Sequence, residues 1–354
     1  MPTPTRKQKV TIHDIARHLD MSASTVSRAL NGNTVISRAT REAVLAKATE
    51  LDYRPNGVAS ALRSGSSKLV GVLIPQANRA FFANIINGVE AVAAEWGYRV
   101  LVMQHHNDSA RELQYLEELQ RLRVDGIVVS VANDGRNDRA RYAELLGRGV
   151  VIHFVDRVLA GLRAASVVVD DFGGAYAATE HLLGRGYRRV AHLRGPAHLM
   201  IYADRERGYR AALADAGVEV DERLILDVAS SVAAGREAFA RLFDAEVSPP
   251  DAVFSASDFS ALGFMKSAQD RGLRIGPDLG IVGFMNEPFT EYVTPTVTTV
   301  EQHTINMGQH AARRLLGHLA DPEEHPLQDL GSLVLSPELV IRESSERLPP
   351  NQNA

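Results

Sequence analysis

The chain has 354 residues, 45% of them hydrophobic, 6% aromatic and 23% charged, with a formal net charge of −4 and no cysteine. That length allows two or three folding units around a large aliphatic core. The lack of cysteine excludes a disulfide-held extracellular fold and a thiolate metal site, and no apolar run approaches the length of a membrane-spanning helix.

The opening stretch MPTPTRKQKV carries basic residues with no apolar core behind them, so residues 1–9 read as a loose basic arm rather than an export signal. A cytoplasmic, nucleoid-associated protein with no membrane contact is expected. From Met1 to Lys68 there are 11 Lys and Arg against 5 Asp and Glu, while the remainder holds 28 against 38. A basic head on an acidic body suits a nucleic-acid-binding head on a domain that avoids nucleic acid.

Thr11 can cap a first helix, with Asp14 three residues on as the reciprocal half of a capping box. Ile12, Ile15, Ala16 and Leu19 fall on one face of it. Asp20-Met21 leaves room only for a tight turn, and Ser22 caps a second helix with Val26, Ala29 and Leu30 inward, closed by Asn31-Gly32. This is a helix-turn-helix pattern. The small polar residues opening the second helix permit close entry into a major groove, and Arg28 can reach a guanine edge. Ser37 caps a third helix, roughly 38–51, packing Val44, Leu45, Ala48 and Leu51 against the first two. Pro55 ends that unit, so the DNA-binding domain is placed at 10–55. Gly57 to Arg63 could form a helix of seven residues, too short to be stable alone, ahead of a flexible Ser-Gly-Ser-Ser linker.

The strings VTIHDIA, SASTVSRALNG, Tyr53 with Pro55-Asn56, and ASALRSG resemble the head and hinge of the lactose-repressor (LacI/GalR) family of bacterial transcription regulators. The resemblance continues through GVLIP at 71–75, FFANIINGVE at 81–90, VDGIVVS at 124–130, VDR at 155–157, residues 174–196, Ser257-Asp258, and TPTVTTVEQ at 294–302. It implies DNA contacts from Thr11, Ser22, Thr25, Ser27, Asn31 and Asn56. Arg28 would read a base, and Ala23 and Ser24 would occupy the two specificity positions. Leu62 would wedge into the minor groove from a hinge at 56–67 that folds only on DNA.

From Leu69 onward, apolar strands alternate with helices, which gives parallel sheets covered on both faces. Strands are predicted at LVGVLIP, YRVLVMQ, GIVVSV, VVIHFV, ASVVVD, RVAHLRG, LILDVA, AVFSAS and GIVGFM. Helices are predicted over about 80–96, from 172, around 202–216, and over 305–319. The alternation is too long for one sheet. The resemblance implies an α/β periplasmic-binding-protein-like core of two doubly wound parallel-sheet lobes behind the three-helix head. The core is placed at 68–345. Lobe 1 is expected at about 68–166 and 299–327, lobe 2 at about 167–298 and 328–345, and a tail at 346–354. That tail has no apolar heptads, so a homodimer is expected rather than a tetramer.

The same resemblance implies a ligand cleft between the lobes. Arg205, in RERGY, would hold hydroxyls or an anion, and Asp156 and Arg157 end a strand where open sheets bind ligands. Phe81 and Phe82 would stack on a sugar or base, with Asp258 and Gln302 lining the cleft. Gly283-Phe284-Met285-Asn286 departs from the family's Gly-aromatic-Asp, so Asn286 is the candidate replacement for a sugar-binding aspartate. No phosphate-binding glycine loop, nucleophile elbow or metal-ligand spacing is present. The expectation is no enzyme and no cofactor. It is a ligand-responsive regulator, a repressor of carbohydrate-utilisation genes, binding a near-palindromic double-stranded operator with a sugar or sugar derivative as effector. A transporter's solute-binding protein would share the lobes but has no use for residues 10–62.

Overall fold

Local capping sets the N-terminal unit. In the computed structural model, residues 10–53, 65–132, 134–136, 138–159, 161–162, 164–244, 248–326 and 331–347 are described. The chain divides into two compact units, Met1–Ser67 and Lys68–Ala354. In the first, α1 (Ile12–His18), α2 (Ala23–Leu30) and α3 (Arg38–Glu50) follow in order. The Asp14 carboxylate accepts from the Thr11 N–H at 2.9 Å and from its hydroxyl at 2.8 Å, tying down the start of α1. Asp20 takes a left-handed φ of +50° to close the turn. The Ser22 and Ser37 hydroxyls each accept from the N–H three residues on, at 3.1 Å, and cap α2 and α3.

Ile15, Ala16, Val26, Ala29, Val44 and Ala48 form the buried core of this unit. Leu45, expected inside, is 46% exposed. Val44 and Ala48 are four apart and share the inward face, which turns Leu45 outward. Residues 56–64 of the hinge, with Asn56, Gly57 and Leu62, lie outside the described residues.

The second unit opens with an all-parallel six-stranded sheet. Its strands are β1 (Leu69–Ile74), β2 (Arg99–Gln104), β3 (Gly126–Val129), β4 (Ile152–Val155), β5 (Ala165–Val169) and a late strand, β11 (Ser332–Leu335). Their order is β11-β5-β4-β3-β1-β2. One face packs against α4 (Ala80–Glu95) and α11 (Thr304–Ala320), the other against α5 (Ser109–Arg121) and α6 (Arg139–Gly147). Helices α4 and α11 cross at Gly88 and Gly308. A Cβ at either would meet a backbone carbonyl of the other helix, so only glycine permits this approach.

The second sheet runs β7-β6-β8-β9, also parallel, from β6 (Val190–Arg194), β7 (Ile225–Asp227), β8 (Ala252–Ser255) and β9 (Gly280–Val282). Helices α7 (Asp171–Gly184) and α8 (Met200–Asp215) cover one face, and α9 (Val232–Phe243) and α10 (Asp258–Asp270) the other. An antiparallel pair, β10 (Thr299–Glu301) with β12 (Glu338–Val340), joins the two lobes.

Three boundaries differ from expectation. Residues 165–169 pair with β4 and β11, so the first crossing follows Val169 rather than Ser166. Residues 332–335 return to the first sheet, not to the second lobe. The second crossing falls beyond Val300 rather than near Thr298, because Gly283 and Met285 donate N–H bonds to the carbonyls of Thr298 and Val300. A strand apolar on both faces reads the same in either sheet, and pairing alone decides its place. The expected tail also starts late, since Arg347 bonds the Gly186 carbonyl and lies 4.8 Å from the Tyr187 ring centroid.

Candidate functional site

Two sites emerge, one in each unit. On the head, α2 presents Ser24 and Arg28 as exposed residues, and the Arg28 side chain makes no hydrogen bond or ion pair with the other described residues. A free guanidinium on the second helix of a helix-turn-helix is placed to meet a base edge. The remaining candidates hold the motif together. Thr11 is engaged with Asp14, and Ser22 links to the hydroxyls of Ser24 and Thr25 at 2.8 Å each. Asn31 folds back to donate to the Ser27 carbonyl at 2.7 Å, closing α2. Ala23 is half-buried and leans on the head's core, which leaves less of it for a groove than the sequence implied.

In the second unit, a cavity of about 600 Å³ opens where the strand ends of the first sheet meet α8. Asp156, Arg157, Asp171 and Asp204 give it charge, and Leu159, Val168, Val169, Leu199 and Ile201 give it apolar walls. Asp156 ends β4 with a left-handed φ of +63°, which turns its carboxylate toward Ser130, whose hydroxyl donates at 3.2 Å. Burial pushes the Asp156 carboxyl above the usual range, against the pull of Arg157 and Arg205. The Arg157 guanidinium donates to Asn107 Oδ1 at 2.7 Å and lies 5.8 Å from the Phe82 ring centroid.

Arg205 lies behind Asp171, only 3% exposed and not itself one of the residues lining the cavity. Its Nε and Nη2 reach Asp171 Oδ1 at 2.8 and 2.7 Å, and its Nη1 donates to the Ala256 carbonyl at 2.8 Å. The guanidinium lies 3.7 Å from the Phe284 ring centroid. Three of its five N–H groups are thereby engaged within the protein. Burial pushes the Asp171 carboxyl up to about 6 even with Arg205 alongside. Asp171 was not singled out from sequence, although a carboxylate where a strand passes into a helix is the type of signal that identified Asp156.

Like Arg205, the remaining expected cleft residues apart from Asp156 and Arg157 do not line the cavity. Phe81 and Phe82 are buried in the first lobe's core, packed edge-to-face at 5.0 Å. Asp258 is fully buried, and burial pushes its carboxyl up to about 7. Its oxygens accept from the Thr299 hydroxyl at 2.7 Å and the Glu287 N–H at 2.8 Å, so it braces β10 against the loop after β9. Asn286 is likewise engaged at both ends of its amide. It donates to Glu301 at 2.8 Å and accepts from Arg342 at 3.0 Å, a crossover tie that leaves little for a sugar. Gln302 is buried, and its Oε1 has no partner among the described residues.

A helix-turn-helix head ahead of a two-lobed, periplasmic-binding-protein-like core defines a DNA-binding transcriptional regulator. Residues 11–56 match the family of bacterial regulatory proteins of the lacI type, and residues 179–345 match a periplasmic binding protein-like domain. The HTH-type transcriptional regulator DegA of Bacillus subtilis (strain 168) is 31% identical over 96% of this chain and 99% of its own. A crystal structure of the lac repressor dimer bound to operator and the anti-inducer ONPF superimposes with a TM-score of 0.85 at 26% identity, covering 96% of this chain and all of that one. A complex of the transcriptional regulator CelR with cellobiose superimposes at 0.70 with 30% identity, covering 95% and 100%. The chain belongs to the LacI family of bacterial transcriptional regulators. Members of that family regulate transcription and are not enzymes.

Proposed function

We propose that this regulator is a ligand-gated repressor of carbohydrate-utilisation genes, acting as a homodimer on a near-palindromic operator. A two-fold dimer offers the same helix twice, which suits two half-sites. Arg28 reads a base, Ala23 and Ser24 set half-site preference, and Thr11, Ser22, Thr25, Ser27, Asn31 and Asn56 fix the head on phosphates. Leu62 wedges the minor groove.

The observation that carries the sensing role is the cavity holding Asp156, Arg157 and Asp171 beside Arg205. Carboxylate acceptors and guanidinium donors within apolar walls suit a polyhydroxylated ligand, whose hydroxyls both donate and accept. The neighbour solved with cellobiose supports a sugar or sugar derivative as effector. Effector bound between the lobes alters their relative geometry, changes the spacing of paired hinges and so biases an order–disorder switch on DNA.

The test is a thermal-shift and calorimetric screen of sugars, sugar acids and sugar phosphates. A hit that Arg205→Met abolishes, with operator binding retained, is the expected outcome. A hit unaffected by that substitution would remove Arg205 from the site.

A further inference from the structure

Arg79 precedes α4 at its N-terminus, on the first lobe, yet its side chain ends on the second. Its guanidinium carbon lies 3.9 Å from the centroid of the Phe259 ring, at the start of α10. Its Nη2 donates to the carbonyl of Ser230, on the loop between β7 and α9, at 3.3 Å. Phe259 is held in turn by Phe289, edge-on at 5.1 Å, and the Ser230 hydroxyl by Ser257 at 2.6 Å. Both receiving groups are therefore braced by neighbours within the second lobe. Arg79 itself forms no ion pair among the described residues. The Glu287 carboxyl, buried in the second lobe, has an oxygen without a partner, and the Arg79 charge works against the upward push of burial on it.

We propose that Arg79 is an interlobe latch, a cation from one lobe stacked on an aromatic ring of the other, which holds the lobes together without effector. A guanidinium over an aromatic face is most effective where water is displaced. Its planar fork also permits the simultaneous bond to the Ser230 carbonyl. The stack breaks as soon as the lobes separate, because its two halves sit on different lobes. Effector entry then waits on latch release, and the open population is reduced by what the latch contributes. The inference rests on the reading of the cleft as the sensor. Its test uses neither effector nor operator, so its failure leaves that reading untouched.

The chain contains no cysteine, so a spin-label pair can be placed cleanly. Ala110→Cys and Ala233→Cys put exposed labels on α5 of the first lobe and α9 of the second. Double electron–electron resonance on full-length protein, diluted with unlabelled chain to suppress distances between subunits, reads the interlobe separation. In the Arg79→Ala background the distribution should shift to longer distances. Phe259→Leu should give the same shift, and the double variant should go no further than either single one. A distribution unchanged by either substitution, or single shifts that add, would overturn the latch. Thermal melts of each variant, expected to stay cooperative, separate opening from unfolding, and a long-distance population confined to an unfolded fraction would also overturn it.

Discussion

Replacing Arg205 by methionine tests the pairing at the back of the sensor site. Methionine keeps most of the length and the contact with Phe284, but loses three hydrogen bonds, two to Asp171 and one to the Ala256 carbonyl. Removing one partner of a buried ion pair leaves an uncompensated charge, at about 3–5 kcal/mol. Asp171 limits that cost by taking a proton. Burial already holds its carboxyl at about 6, and without Arg205 it moves higher. A carboxyl raised in the folded state binds more protons there than in the unfolded chain. Its stability contribution is therefore greatest in acid and is lost as pH rises through the folded value. In the variant that loss extends to higher pH than in the parent, so the destabilisation should be smaller at pH 6 than at pH 8. Asp171→Asn added to Arg205→Met should recover part of it, because no charge is then left buried. Urea denaturation followed by circular dichroism, on the parent, both single variants and the double variant, reads all of this. A pH-independent deficit with no recovery in the double variant would refute the coupling and assign the loss to packing on Phe284.

Two further predictions address stability in acid and the DNA interface. His192 is fully buried, stacked on Phe254 at 4.8 Å and Tyr209 at 5.0 Å, and burial holds its imidazole down to about 4. A depressed histidine favours the folded state above its unfolded value near 6.5, and that contribution is lost as pH falls toward 4, by about 3 kcal/mol. The raised Asp171 and Asp258 run the other way across the same window, so the histidine is isolated by difference. The urea midpoint of His192→Phe should gain on the parent's between pH 7 and pH 4.5, and a constant gap would sink the assignment. Arg28→Ala should weaken binding to a selected operator by about 1–3 kcal/mol and relax preference at one base pair in each half-site. Uniform weakening across sequences would mean that Arg28 contacts only phosphate.

The sequence by itself determined the local structure. Caps at Thr11, Ser22 and Ser37 and the turn at Asp20 need only neighbours three or four residues away, so the helix-turn-helix and its boundaries were readable from the chain. Alternating apolar strands and amphipathic helices likewise declared parallel sheets. Only the tertiary structure decided what depends on partners distant in the chain. Strands β5 and β11 join the first sheet, although they read equally well in the second, because hydrogen-bond pairing and not composition chooses the neighbour. Arg205 meets a carboxylate 34 residues away, Asp258 a hydroxyl 41 away, and Arg79 a carbonyl 151 away. A charged side chain has the same pattern in sequence whether it faces a ligand, braces a crossover or bridges two lobes. Its role follows from which groups the folded chain brings within hydrogen-bonding reach, and those separations carry no local signal.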